Sequence, residues 1–64
     1  MKVCYDSETD SLYIDLVDRS SVDSQEVKPG VMLDFDADGN LVGIGIEHAS
    51  DVADLTTLEI EALP

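Results

Sequence analysis

Apolar and polar residues alternate with a period of two along most of this chain, the signature of half-buried β-strands. Val3 and Tyr5 alternate with Lys2, Cys4 and Asp6, which predicts a first short strand. Asp6-Ser7-Glu8-Thr9-Asp10 follows, a run of residues whose side chains bond nearby backbone N–H groups in turns. A second strand places Leu12, Ile14 and Leu16 on one side and Tyr13, Asp15 and Val17 on the other. After a turn at Asp18-Arg19-Ser20-Ser21, the segment from Val22 to Val27 alternates weakly and is mostly polar. That composition suits an edge, where charge discourages pairing with other chains. Pro29-Gly30 ends it, because proline lacks a backbone donor and glycine admits a positive φ. Val31, Leu33 and Phe35 then oppose Met32, Asp34 and Asp36. A hairpin turn is expected over Asp36-Ala37-Asp38-Gly39-Asn40. The last strand sets Val42, Ile44 and Ile46 against Gly43, Gly45 and Glu47.

Two glycines at alternate positions strip one patch of the sheet of side chains. Either a neighbouring ring, Tyr5 or Tyr13, covers the gap, or another backbone approaches there, or the glycines simply permit twist. The C-terminal stretch carries a different signal. Ser50 is placed to cap a helix, and Val52 and Leu55 sit three apart, which predicts a short helix near residues 51–55. Thr56 and Glu59 have capping-box spacing, and Ile60 and Leu63 are again three apart. Leu58, Ile60 and Ala62 alternate as a strand would, so the tail reads both ways. The fold class expected is mainly β (α+β): a small antiparallel meander of four to five strands with a short C-terminal helix. A single small domain, residues 1–64, is expected, with the meander over about 2–48 and the short helix and tail over about 50–64.

Size and charge narrow the partners. A chain of 64 residues buries only ~60% of the surface it exposes when unfolded. Small domains widen that margin with disulfides, metals or self-association. Cys4 is the sole cysteine, so no disulfide can form within the chain, and a homodimer is expected. Fifteen acidic residues against three basic ones give a net charge of −12. Nucleic acid and anionic membranes are disfavoured partners, since both require Lys and Arg to meet phosphate. A basic protein, or cations, would be attracted. Met1-Lys2 leads directly into a strand pattern rather than an apolar leader, and no run approaches the length of a membrane span. A lone thiol suits a reducing compartment, so the expected location is the cytoplasm.

The chemistry on offer is sparse. Asp34, Asp36 and Asp38, followed by Gly39, match the first half of an EF-hand calcium loop. The twelfth position of that loop needs a bidentate Glu and is here Gly45; Glu47 comes two residues late, and the flanks read as strands. The turn reading prevails, and these three aspartates stand as calcium candidates only. His48 is the single histidine, and with Cys4 it has none of the paired spacing of a zinc site. Cys4, between Val3 and Tyr5, is expected to be a small buried or half-buried side chain. Ser50 lies two residues from His48 without a nucleophile elbow around it. Carboxylates abound, but a thin sheet has little room for the cleft that paired-carboxylate hydrolysis requires. No phosphate-cradling glycine loop is present. No catalytic residue and no cofactor are expected.

The pattern resembles the uncharacterised prokaryotic family known as domain of unknown function 2283. The likeness rests on Tyr5-Asp6, Asp10-Ser11-Leu12-Tyr13-Ile14, Glu26-Val27 and Pro29-Gly30-Val31. It runs on through Leu33-Asp34, Asp38-Gly39, Val42-Gly43-Ile44, Ile46 and Ala49-Ser50, covering about residues 2–50. Gly45 departs from it, standing where the resemblance leads one to expect a larger, often acidic residue. The resemblance implies a small β-rich fold with a short C-terminal helix and carries over no activity and no site residues. The functional expectation is therefore an acidic interaction or accessory module that binds a basic protein, antitoxin-like or regulatory. A divalent-cation protein using Asp34, Asp36 and Asp38 is the alternative, and an enzyme built around His48 is a third.

Overall fold

The computed structural model describes residues 1–62. Five strands form one antiparallel sheet: β1 (Lys2–Asp6), β2 (Ser11–Asp15), β3 (Asp23–Lys28), β4 (Val31–Phe35) and β5 (Leu41–Ile46). Their spatial order is β1-β2-β5-β4-β3, so β5 occupies the centre and β1 and β3 the edges. Consecutive strands pair everywhere except between β2 and β3, whose connection carries the chain to the far edge. The expected meander is thus interrupted at one step. The weakly alternating third strand does lie on an edge.

The register sorts side chains cleanly. Val3 faces Ile14, Ile14 faces Ile44 and Ile44 faces Leu33, while Tyr5, Leu12, Ile46 and Val31 form a second such row. These residues share one face. The other face carries Lys2, Asp15 and Gly43 in one row and Cys4, Tyr13, Gly45, Met32 and Glu26 in another. Two bulges, at Val27 and Val42, each insert an extra residue where the register shifts. The β3–β4 turn uses Pro29 followed by Gly30 at φ 85°, the positive angle that a type II turn requires. At the β4–β5 turn, the Asp36 carboxylate accepts the N–H groups of Asp38 (3.0 Å) and Asn40 (2.9 Å), and Arg19 Nη1 reaches it at 3.3 Å.

Among the described residues no second layer of strands or helices covers the sheet. Among the described apolar residues only Val42 (1% exposed) and Ala49 (0%) are fully buried. The strands β2 and β4 are half-buried throughout. Residues 53–58 run beside the β1–β2 half of the apolar face, leaving a cleft of about 300 Å³ lined by Val3, Tyr5, Leu12 and Ile14.

The expected helix near residues 51–55 does not form. Ala49–Asp51 make a single 3-10 turn, and no α-helix occurs among the described residues. Its N-cap position is His48, in the left-handed region at φ 51°, rather than Ser50. Five residues offer too few hydrogen bonds to offset the cost of nucleating a helix. Thr56 is not a cap either; its N–H and hydroxyl both donate to the Asp54 carboxylate, at 3.0 and 2.6 Å. Leu63, paired in the sequence reading with Ile60, lies outside the described residues.

Candidate functional site

The polar face is organised around Tyr13. Its cross-strand partner is Gly45, and the ring extends over Gly43 one step further along β5. A Cβ added at Gly43 would stand 2.6 Å from Tyr13 Cζ and 3.2 Å from Cε2. At Gly45 it would stand 3.6 Å from Tyr13 Cδ1, an ordinary contact. Of the possibilities raised by the glycine pair, a covering ring is the one realised, and the ring is Tyr13, not Tyr5. The ring supplies there the apolar cover that two side chains would otherwise give.

Tyr13 ends on a carboxylate. Its hydroxyl donates to Asp34 Oδ2 at 2.7 Å, and Ser24 Oγ donates to Asp34 Oδ1 at 2.6 Å. One aspartate in β4 therefore binds groups from β2 and β3, two strands that never touch. The hydrogen bond to Asp34, with burial and the charges of Asp34 and Asp15 adding, pushes the Tyr13 phenol up to about 12. A phenol held neutral to that degree is a poor base or nucleophile at neutral pH. The arrangement staples strands together.

A second network fastens the chain after β5. Asp10, at φ 54°, accepts from Tyr5 Oη at 2.7 Å, from Ser50 Oγ at 2.7 Å and from the Ser50 N–H at 3.1 Å. Its backbone carbonyl accepts the Ala49 N–H at 2.9 Å. Aspartate is among the few residues that adopt the left-handed region readily. The Ser50 and Tyr5 hydroxyls hold the Asp10 carboxyl below its usual range. Its folded-state pKa is depressed, so the stability it contributes is present above the ordinary carboxylate pKa and is lost as pH falls through the lower value. Urea midpoints measured from pH 6 down to pH 2 should therefore fall, and Asp10→Asn should flatten part of that slope. An unchanged slope in the variant would mean that the clasp does not titrate.

A family model described as Protein of unknown function (DUF2283) matches residues 2–50. The chain belongs to the DUF2283 family. The matched range ends at Ser50, so it contains all five strands and both networks, and the tail from Asp51 onward falls outside it. No curated protein and no solved structure matches the chain.

Within this DUF2283 domain the residues singled out from sequence are scattered. Asp34 is engaged by Tyr13 and Ser24, and Asp36 by the N–H groups of its own turn, with the Asn40 N–H the main cause of its lowered pKa. Asp38 is exposed in the same turn. Among the described residues, no group of three or more His, Cys, Asp or Glu is placed to hold a metal ion. Cys4 is exposed rather than buried, because β1 is an edge strand with a neighbour on one side only. His48 lines an open depression with Glu26, Glu47 and Asp51. Ser50 donates its hydroxyl to Asp10 and not to the imidazole. The sequence reading placed Asp34 on the solvent side of its strand without its partners. The available signal was an aspartate inside a strand, where that residue is depleted.

Proposed function

We propose that this DUF2283 protein is an acidic accessory module that works as a homodimer and binds a basic protein. The observation that supports this reading is its charge balance, fifteen acidic residues against three basic, a net charge of −12. Among the described residues only one ion pair neutralises any of it, Arg19 with Asp36 at 3.3 Å. A cationic surface would gain long-range attraction from such a field, and phosphate polymers would be repelled. An antitoxin-like or regulatory role beside a compact basic protein suits this balance. We assign the protein to the cytoplasm, where a solvent-exposed thiol such as Cys4 stays reduced. No helix is long and apolar enough to cross a membrane among the described residues. The cation-binding alternative gains nothing from the geometry, since two of its three carboxylates already serve turn and strand contacts.

Immobilised protein exposed to cell extract at physiological salt should retain a basic protein. The purified pair should then weaken about tenfold or more when ionic strength is raised several-fold, as screened opposite charges do. Retention of no basic protein, or binding indifferent to salt, would contradict the proposal.

A further inference from the structure

We infer that the apolar face of the sheet is the surface on which two copies of this chain meet, packed sheet against sheet. The inference rests on the dimeric reading above and names the surface that makes it. Three observations carry it.

The first is area. The chain exposes 5010 Å², whereas a compact monomer of its 6.9 kDa would expose roughly 4,000 Å². Its radius of gyration is 12.6 Å, against about 10.7 Å for a compact chain of this length. The molecule is a slab of 35 × 34 × 19 Å. An interface of standard size covers about 800 Å² on each partner, which is of the same order as the excess area.

The second is location. Residues 53–58 line a cleft with Val3, Tyr5, Leu12 and Ile14, on the β1–β2 half of the apolar face. Val31, Leu33, Phe35, Ile44 and Ile46, on the β4–β5 half, are half-buried, and among the described residues no further strand or α-helix exists to pack over them. Stacked sheets ~10 Å apart would complete the core these residues begin.

The third is charge, and it selects the occupant. The strand carboxylates Asp6, Asp15, Glu26 and Asp34 all lie on the opposite face. Asp23, paired with Phe35 at the outer edge, is the exception. A basic partner would find little to attract it on the apolar face. A second copy offers the same apolar patch, self-complementary about a two-fold axis, with Asp23 and Lys28 at its β3 edge and the other strand carboxylates outward. Each copy still carries −12, so association must overcome a repulsion that salt screens.

Sedimentation equilibrium of the full chain at micromolar concentration tests this. A species of twice 6.9 kDa is expected, with a dissociation constant that tightens as sodium chloride is raised, the reverse of the trend expected for a basic partner. Leu33→Lys should weaken dimerisation by about tenfold or more, the loss of one packed anchor, and Glu26→Gln on the other face should not. Because Leu33→Lys could also unfold the chain, intermolecular NOEs are measured on a mixture of labelled and unlabelled wild-type protein. They should connect the methyls of Leu33, Ile44 and Val31 across copies. A dimer whose intermolecular NOEs arise from Met32 or Cys4 would overturn the assigned surface while leaving the dimer standing. A chain that is monomeric at every salt concentration would overturn both, without touching the binding of a basic protein.

Discussion

Gly43→Val should lower stability by about 2–3 kcal/mol, the cost of forcing volume into a filled site. In a domain of this size that corresponds to a fall in Tm of roughly 10–20 °C. The reason is the ring and hydroxyl of Tyr13, which lie where the new side chain must go; even the first added carbon would come within 2.6 Å of Cζ. Moving the ring would also break its 2.7 Å hydrogen bond to Asp34. The damage should therefore not add to that of removing Tyr13. In a Tyr13→Ala background, Gly43→Val should cost at least ~1 kcal/mol less than it does alone, as expected for residues in direct contact. Thermal unfolding of the four members of this cycle checks both statements. The same substitution at Gly45, where contact is ordinary at 3.6 Å, should be the milder of the two.

Asp34→Ala should lower stability by about 1 kcal/mol, because it removes the shared acceptor of two hydroxyl groups, one part-buried and one exposed. Tyr13 Oη and Ser24 Oγ both end on this carboxylate. Tyr13→Phe should cost less, since Asp34 then keeps Ser24 and no donor is stranded. The Tyr13 bond also has a pH signature. In the unfolded chain the phenol ionises near its ordinary value of 10.0, and in the fold at about 12. A raised folded-state value means that the contribution is whole below pH 10 and is lost as pH rises through 12. Wild-type stability should thus decline across that alkaline interval, and Tyr13→Phe should remove part of the decline. Urea titrations monitored by dichroism at pH 8, 10 and 11.5 would show it.

The faces of this sheet were legible in the sequence because a strand's side chains can only alternate. Val31, Leu33 and Phe35 against Met32, Asp34 and Asp36 gives the sidedness of β4 without any knowledge of its neighbours. The neighbours themselves were not legible. Pairing β2 with β3 or with β5 satisfies the same alternation, and only the tertiary fold shows Ile14 opposite Ile44. The glycine pair at Gly43 and Gly45 pointed to a covering ring, yet two tyrosines qualified, and the choice depended on that same unknown strand order.

The C-terminal stretch misled for a different reason. The three-residue spacing of Val52 and Leu55 is real, but spacing reports a helix only when enough turns share its cost. Here Ser50, instead of accepting the first N–H groups of a helix, donates its own N–H and hydroxyl to Asp10 forty residues earlier in the chain. A long-range contact of that kind leaves no periodic trace. Asp10 itself read as one turn residue among five, and nothing local distinguished its role as the anchor for Tyr5, Ala49 and Ser50.

Sidedness is also what links the fold to the proposed association, since the hydrocarbon face is left open and the carboxylates are gathered on the other. Solvent paramagnetic relaxation of side-chain methyls, recorded with a neutral soluble probe in dilute and in concentrated samples, reads the two faces separately. The methyl of Met32 should be relaxed strongly in both samples, while those of Leu33 and Ile44 should become protected as concentration rises. Equal relaxation of Met32, Leu33 and Ile44 at every concentration would contradict the account.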